Sequence, residues 1–191
     1  MMTPFQTYKM TRLFNFYDMD GSGKLEKADS MRRAEKRMLI SGWAPDSEQA
    51  QQLQAINMQH WAMLCRYADS DGDGKISLGE WLAAHDAEIG HCKIATFDNF
   101  SPLMKTFLES ILKSLDTDAD GYYSVEEYAQ LLKNFSNVDG AQVQELFKLM
   151  DTDKNGRFSY EEMKQAVAEY YMSNDINAPG NLIFGPLSYT G

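Results

Sequence analysis

The chain has 191 residues, 43% of them hydrophobic, and a formal net charge of −10. This length suffices for one sizeable domain or two small lobes around a hydrophobic core. No stretch approaches the roughly 18 apolar residues of a membrane-spanning helix, and no secretory signal is recognisable, so neither class is predicted. Two cysteines, Cys65 and Cys92, make no disulfide framework, and the sequence predicts a cytoplasmic protein with reduced thiols.

Apolar residues at helical spacing predict eight helices in chain order. They are expected at about 4–17, 28–40, 46–68, 78–89, 102–115, 125–134, 140–150 and 160–172. Ser101 and Pro102 provide an N-cap and a first-turn proline for the fifth helix. An acidic twelve-residue segment separates the members of each successive helix pair. These segments are Asp18–Asp29 (DMDGSGKLEKAD), Asp69–Glu80 (DSDGDGKISLGE), Asp116–Glu127 (DTDADGYYSVEE) and Asp151–Glu162 (DTDKNGRFSYEE).

The negative charge of the chain is concentrated in these four segments. They contain 17 of the 28 acidic residues and 5 of the 18 basic ones, so they carry −12 and the rest of the chain carries +2. Carboxylates packed this densely repel one another unless a cation lies between them. The distribution therefore indicates cation binding rather than a generally acidic surface, and nothing in it predicts nucleic-acid binding.

The spacing within each segment is that of the EF-hand calcium loop. Side-chain oxygens are expected from positions 1, 3, 5 and 12 and a backbone carbonyl from position 7, with glycine at position 6 for the sharp turn. The side-chain ligands predicted are Asp18, Asp20, Ser22 and Asp29; Asp69, Asp71, Asp73 and Glu80; Asp116, Asp118, Asp120 and Glu127; and Asp151, Asp153, Asn155 and Glu162. The carbonyl ligands predicted are those of Lys24, Lys75, Tyr122 and Arg157.

The flanks of the four loops support this prediction. Positions one, four, five and eight residues before each loop are apolar in all four cases, as an entering helix requires. Position 8 of each loop is apolar too, which suits the short backbone pairing between two hands. The sequence therefore predicts an all-α protein in which four EF-hands in two pairs form one compact domain. The N-terminal pair is expected at 1–89, a linker at 90–101, the C-terminal pair at 102–172 and a C-terminal tail at 173–191.

The first loop departs from the other three. It has Ser22 at position 5 and Asp29 at position 12, where the others have glutamate. Because aspartate is one methylene shorter and tends to bind through one oxygen, this loop favours a smaller shell that tolerates Mg²⁺. We expect firm Ca²⁺ sites in the second, third and fourth loops and a weaker or Mg²⁺-preferring first site.

Several residues have a structural and a functional interpretation. The basic segment MRRAEKRM, residues 31–38, is either a solvated helix face or a contact for an acidic partner. Trp81 and His85, one turn apart, are expected to pack in the core rather than grip a ligand. The twelve methionines are interpreted as packing residues more readily than as a target groove, and no reactive role is assigned to the cysteines.

The chain resembles the invertebrate sarcoplasmic calcium-binding proteins and their neuronal relative calexcitin. The resemblance rests on four hands whose loops begin 51, 47 and 35 residues apart, on the chain length, and on an ending similar to SND…GN..FGPL. It implies compact, cytosolic Ca²⁺ and Mg²⁺ binding without catalysis. Members of this family commonly have one or two degraded loops, whereas all four loops keep their ligands here.

The C-terminal tail favours a buffer over a sensor. EF-hand sensors expose an apolar groove that a target helix fills, and Leu182, Ile183, Phe184 and Leu187 are suited to fill such a groove from within the chain. A calexcitin-like sensor with a protein target is the alternative. A photoprotein or luciferin-binding protein is a further one, but resemblance to aequorin would imply a histidine on the last helix and a terminal proline, and this sequence has neither.

Overall fold

The computed structural model describes residues 1–135 and 138–189, with positions 40, 41 and 134 described by their backbone only. Eight helices lie in these ranges, at the predicted places and with ends that differ from the prediction by at most two residues. They are α1 (Pro4–Tyr17), α2 (Lys27–Ser41), α3 (Glu48–Ala68), α4 (Leu78–Ile89), α5 (Pro102–Lys113), α6 (Val125–Phe135), α7 (Gly140–Met150) and α8 (Tyr160–Met172). In this part of the chain no helix is both long and apolar enough to cross a membrane.

Local capping explains where several of these helices begin. The Ser101 hydroxyl accepts a hydrogen bond from the Met104 N–H at 3.3 Å, with Pro102 in the first turn as predicted. At the start of α7, the Asp139 carboxylate accepts from the Gln142 N–H, and the Gln142 side chain accepts in return from the Asp139 N–H. Such reciprocal bonds satisfy backbone groups that a helix end leaves without a partner.

One compact unit comprises Met10–His85 and contains the first two hands. Its two-residue strands β1 (Lys24–Leu25) and β2 (Ile76–Ser77) pair antiparallel, with Leu25 opposite Ile76. Trp81 is buried and its indole N–H donates to the Met10 carbonyl at 2.9 Å. His85 is also buried, with its ring centroid 4.2 Å from that of Trp81, and burial lowers its pKa to about 4. Both residues are therefore part of the core, as expected.

The second unit comprises Met1–Lys9 together with the described residues from Asp86 onward. Its strands β3 (Tyr122–Tyr123) and β4 (Phe158–Ser159) pair antiparallel, with Tyr123 opposite Phe158. The rings of Tyr123 and Phe158 are buried with their centroids 5.5 Å apart, next to Tyr128. The predicted domain boundaries at residues 89, 101 and 172 stay predictions.

The C-terminal tail packs against the helices of this second unit. It forms a 3₁₀ turn at Pro179–Leu182, after which Ile183 and Phe184 are buried. The Phe184 ring stacks on Phe135 at 4.3 Å and meets the edge of Tyr170 at 4.8 Å. Leu182 and Leu187 are half-buried. The prediction of a tail packed into the core is confirmed for its described part; Thr190 and Gly191 lie outside the described residues.

A buried lysine ties α1 to the end of α8 and to the tail. The Lys9 side chain is fully buried, and its Nζ donates to the carbonyls of Glu169 at 3.3 Å and Ser173 at 2.9 Å and to Asn181 Oδ1 at 2.8 Å. It also lies 4.6 Å from the centre of the Phe5 ring. Burial lowers the pKa of Lys9 to about 7, although the nearby Glu169 carboxylate opposes that shift.

We expect Lys9→Met to lower the free energy of unfolding by about 2 kcal/mol at pH 7, because three buried or partly buried oxygens lose their donor. Urea titration in excess calcium measures this, with Lys133→Met, an exposed lysine of the same unit, as the control. If Lys9→Met lowered the free energy of unfolding by less than about 0.5 kcal/mol, the usual effect of a surface substitution, the assigned role would be contradicted.

The same lysine makes the stability of the wild type depend on pH. The pKa of Lys9 in the folded protein is about 7, below the ordinary 10.5. Between pH 7 and 10.5 the unfolded chain therefore binds more protons than the folded one, and the free energy of unfolding of the wild type should rise from pH 7 to pH 9.

Candidate metal centres

Each loop turns sharply at its sixth position and thereby gathers its carboxylates. The glycines there have positive φ angles, which side-chain-bearing residues rarely adopt: Gly23 (79°), Gly74 (79°), Gly121 (84°) and Gly156 (83°). Each glycine N–H donates to Oδ2 of the loop's first aspartate, at distances between 2.8 and 3.1 Å. This bond closes the loop around its first aspartate.

The carboxylate at position 12 is held at the start of the exit helix. In the second loop, Glu80 Oε1 accepts from the N–H of Ser70 at 3.1 Å and its hydroxyl at 3.0 Å. Glu80 Oε2 accepts from the N–H of Ser77 at 2.9 Å and its hydroxyl at 2.8 Å. These bonds, chiefly those from Ser77, lower the pKa of Glu80 to about 2. The carboxylate is therefore ionised and fixed in place near the loop.

The third and fourth loops hold their glutamates in the same way. Glu127 accepts from Thr117 and Ser124, and Glu162 accepts from Thr152 and Ser159, in each case through both the N–H and the hydroxyl. These hydroxyl residues are not among the predicted site residues. Their signal is nevertheless in the sequence, because serine or threonine stands at positions 2 and 9 of every loop that ends in glutamate.

Predicted ligand atoms converge in all four loops. In each, three acidic residues offer oxygens that lie within 4.8 Å of one another. The clusters are Asp18, Asp20 and Asp29; Asp69, Asp71 and Asp73; Asp116, Asp118 and Glu127; and Asp151, Asp153 and Glu162. Glu80 is outside the second cluster as so defined, and Asp120, whose Oδ1 accepts from the Tyr122 N–H at 2.8 Å, is outside the third.

The remaining predicted ligands contact loop neighbours. The Ser22 hydroxyl donates to the Lys24 carbonyl at 3.0 Å, and Asn155 Nδ2 donates to Asp153 Oδ2 at 2.8 Å. The carbonyls predicted at position 7 belong to residues that begin or immediately precede the short strands. The donor sets are thus made of oxygens, which fit hard divalent cations such as Ca²⁺ and Mg²⁺ better than softer metals.

The first loop reaches the same arrangement with a shorter side chain. Asp29 Oδ1 accepts from the Met19 N–H at 3.1 Å and Oδ2 from the Glu26 N–H at 2.8 Å, the same loop positions that hold the glutamates elsewhere. Unlike those glutamates, Asp29 is buried, with 2% of its surface exposed. Asp29 therefore accepts from the same two loop positions as the glutamates, with a side chain that is one methylene shorter.

Comparisons with known proteins agree with this geometry. The model of the EF-hand domain pair matches residues 108–168, and an EF-hand model matches residues 11–29 and 66–83. A sarcoplasmic calcium-binding protein of the crab Scylla paramamosain is 31% identical over 113 residues, 59% of this chain. That match spans only 57% of the length of the crab protein.

Two solved structures are similar over almost the whole chain. The sarcoplasmic calcium-binding protein from amphioxus has a TM-score of 0.75 at 21% identity and is covered completely, with 98% of this chain aligned. The coelenterazine-binding protein from Renilla muelleri has a TM-score of 0.64 at 20% identity, covering 97% of this chain and 100% of that one. At these identities the likeness shows the fold alone. The chain is therefore an EF-hand protein that has sarcoplasmic calcium-binding proteins among its homologues.

Proposed function

We propose that this protein binds Ca²⁺ in its EF-hand loops and serves as a cytoplasmic calcium buffer. The observation that carries the proposal is the convergence of carboxylate oxygens within 4.8 Å in every loop. Such clusters are strongly repulsive by themselves, so a divalent cation stabilises them. The ligand residues are the twenty predicted from the loop spacing, and catalysis is not part of the proposed role.

The four sites are not equivalent in this proposal. The second, third and fourth loops have a glutamate at position 12, whose two oxygens can both contact a large ion such as Ca²⁺. The first loop has the shorter Asp29, which suits the compact six-ligand shell of Mg²⁺. We therefore assign firm Ca²⁺ binding to the last three loops and weak Ca²⁺ or Mg²⁺ binding to the first.

The buried tail supports a buffer over a sensor. Ile183 and Phe184 already pack against the helices of the C-terminal pair, where Phe184 stacks on Phe135 at 4.3 Å. A surface that the chain's own tail covers is not open to a target helix. Metal ions are then sufficient partners, and a protein target is not required.

Replacing a single position-12 glutamate should remove one tight site. In Glu127→Gln the carboxylate that Thr117 and Ser124 hold in place becomes a neutral amide, which weakens its contact with the ion. Calorimetric titration with calcium should then show about three sites in the wild type, not counting the weak first loop, and one fewer in the variant. Glu126→Gln, a change of the exposed neighbouring residue, is the matched control and should keep the wild-type number. Two or fewer ions bound by the wild type at saturation would contradict the proposal.

A further inference from the structure

An arginine at the start of α2 contacts two of the predicted ligands of the first loop. Arg32 Nη1 donates to Asp20 Oδ2 at 2.6 Å and to Asp29 Oδ1 at 3.3 Å. The same position of the other exit helices, three residues after position 12, carries Ala83, Gln130 and Gln165. Only the first loop therefore has a cationic side chain at this point of its exit helix.

This contact changes the charge that an incoming ion meets. Asp18, Asp20 and Asp29 give the first loop three ligand carboxylates, and one of the three charges is offset by Arg32. The side chains of Arg32 and Asp20 are 46% and 41% exposed. Water therefore weakens this ion pair, and a metal ion from solution can reach it. Affinity of an EF-hand loop depends strongly on the number of uncompensated ligand charges.

We propose that Arg32 is a built-in competing cation that lowers the affinity of the first loop for divalent ions. This inference rests on the proposed function, since it concerns the same four loops. The guanidinium and the ion are attracted to the same oxygens of Asp20 and Asp29. Binding of a divalent ion to the first loop therefore requires either that the Arg32 side chain moves away from these carboxylates or that the guanidinium and the ion, both positively charged, lie close together. The first loop consequently fills only after the others.

The opposite role predicts an effect of opposite sign. If Arg32 instead held Asp20 and Asp29 in position for the ion, its removal would weaken binding at the first loop. The substitution Arg32→Gln separates the two roles. It installs the residue that already stands at the equivalent position of the third and fourth exit helices and removes one positive charge.

The glycine amides report on each loop separately. The N–H of Gly23 donates to Asp18 at 2.8 Å and that of Gly121 to Asp116 at 3.1 Å, so capture of an ion by those carboxylates shifts the amide resonances. The full chain labelled with ¹⁵N-glycine is titrated with Ca²⁺, at free concentrations set by chelator buffers, and each resonance gives the midpoint of its own loop.

In Arg32→Gln we expect the Gly23 midpoint to fall roughly tenfold in calcium concentration, about 1.4 kcal/mol, while that of Gly121 stays unchanged. The gain should shrink at high salt, because exposed charges are screened. Lys36→Gln is the matched control: it removes one exposed charge one helical turn further along, and it should shift the Gly23 midpoint less than about twofold. Arg32→Lys keeps the charge without the guanidinium fork, and its Gly23 midpoint should lie between those of the wild type and Arg32→Gln.

The outcomes distinguish this inference from the function on which it rests. A normal Gly121 response combined with an unchanged or higher Gly23 midpoint in Arg32→Gln overturns the inference alone. An equal shift in Lys36→Gln also overturns it, because general surface charge would then suffice. If neither glycine responds to calcium in any variant, the proposed function fails and the inference fails with it.

Discussion

Removing calcium with a chelator should lower the thermal midpoint of this protein by about 20 °C or more. An ion that binds only the folded chain adds RT ln(1 + [L]/Kd), about 4 kcal/mol for each site at a thousandfold excess over Kd. Three firm sites would together add about 12 kcal/mol, and each kcal/mol shifts the midpoint by roughly 2–4 °C in a chain of this size. The carboxylates of each cluster, whose oxygens lie within 4.8 Å of one another, add to the effect, because they repel one another when no cation lies between them.

Thermal scans by circular dichroism, with excess calcium or with chelator, measure this difference. Glu127→Gln is the internal control: it loses one of the contributing ions, so its drop on chelation should be smaller than that of the wild type. An unchanged midpoint on chelation would mean that the four clusters hold no ion in the folded protein, and it would remove the basis of the proposed function.

Deletion of residues 181–191 should expose an apolar patch on the C-terminal pair. In the intact chain Ile183 is fully buried and Phe184 lies between Phe135 and Tyr170, at 4.3 and 4.8 Å. Without the tail these rings face water, and monomers rarely leave a large apolar patch exposed. The truncated protein should bind a hydrophobic dye in the presence of calcium and should self-associate, as measured by fluorescence and sedimentation.

Point variants in the tail distinguish the effect of losing one buried side chain from the effect of deleting the whole segment. Phe184→Ala should lower the free energy of unfolding by about 3 kcal/mol, as expected for a buried aromatic residue. Ile176→Ala, a change at an exposed apolar position of the same tail, should have almost no effect. Full-length protein that bound the dye strongly on addition of calcium would show that the tail leaves its place. In that case the sensor interpretation, with its protein target, would replace the buffer.

Local signals made most of the fold predictable. Helical periodicity and turn chemistry act over a few residues, and they located all eight described helices to within two residues of their ends. The loop motif is equally local, since glycine at the turn brings most of the carboxylates at fixed spacing together, with Glu80 and Asp120 outside the clusters. The clusters found in the structure consist entirely of predicted residues.

Contacts between distant parts of the chain were not predictable in the same way. Lys9 looks like an ordinary helix lysine in the sequence, yet it is fully buried because its partners Ser173 and Asn181 come from the other end of the chain. Arg32 lies in a basic segment that the sequence leaves open as a solvated helix face or a contact for an acidic partner, and only the fold shows that its side chain turns back to Asp20. Periodicity carries no information about which distant carbonyl or carboxylate a cation will meet.

The attachment of the first residues to the C-terminal unit has a consequence for synthesis on the ribosome. Thr3, Gln6, Tyr8 and Lys9 all bond to residues between 160 and 180 positions further along the chain. Since translation proceeds from the N-terminus, these residues leave the exit tunnel long before their partners have been made. Residues 10–85 can reach their own contacts while the chain is still growing. Residues 1–9 must wait until residues 169–188 have been synthesised, so they reach their final contacts later than residues 10–85, although they are made earlier.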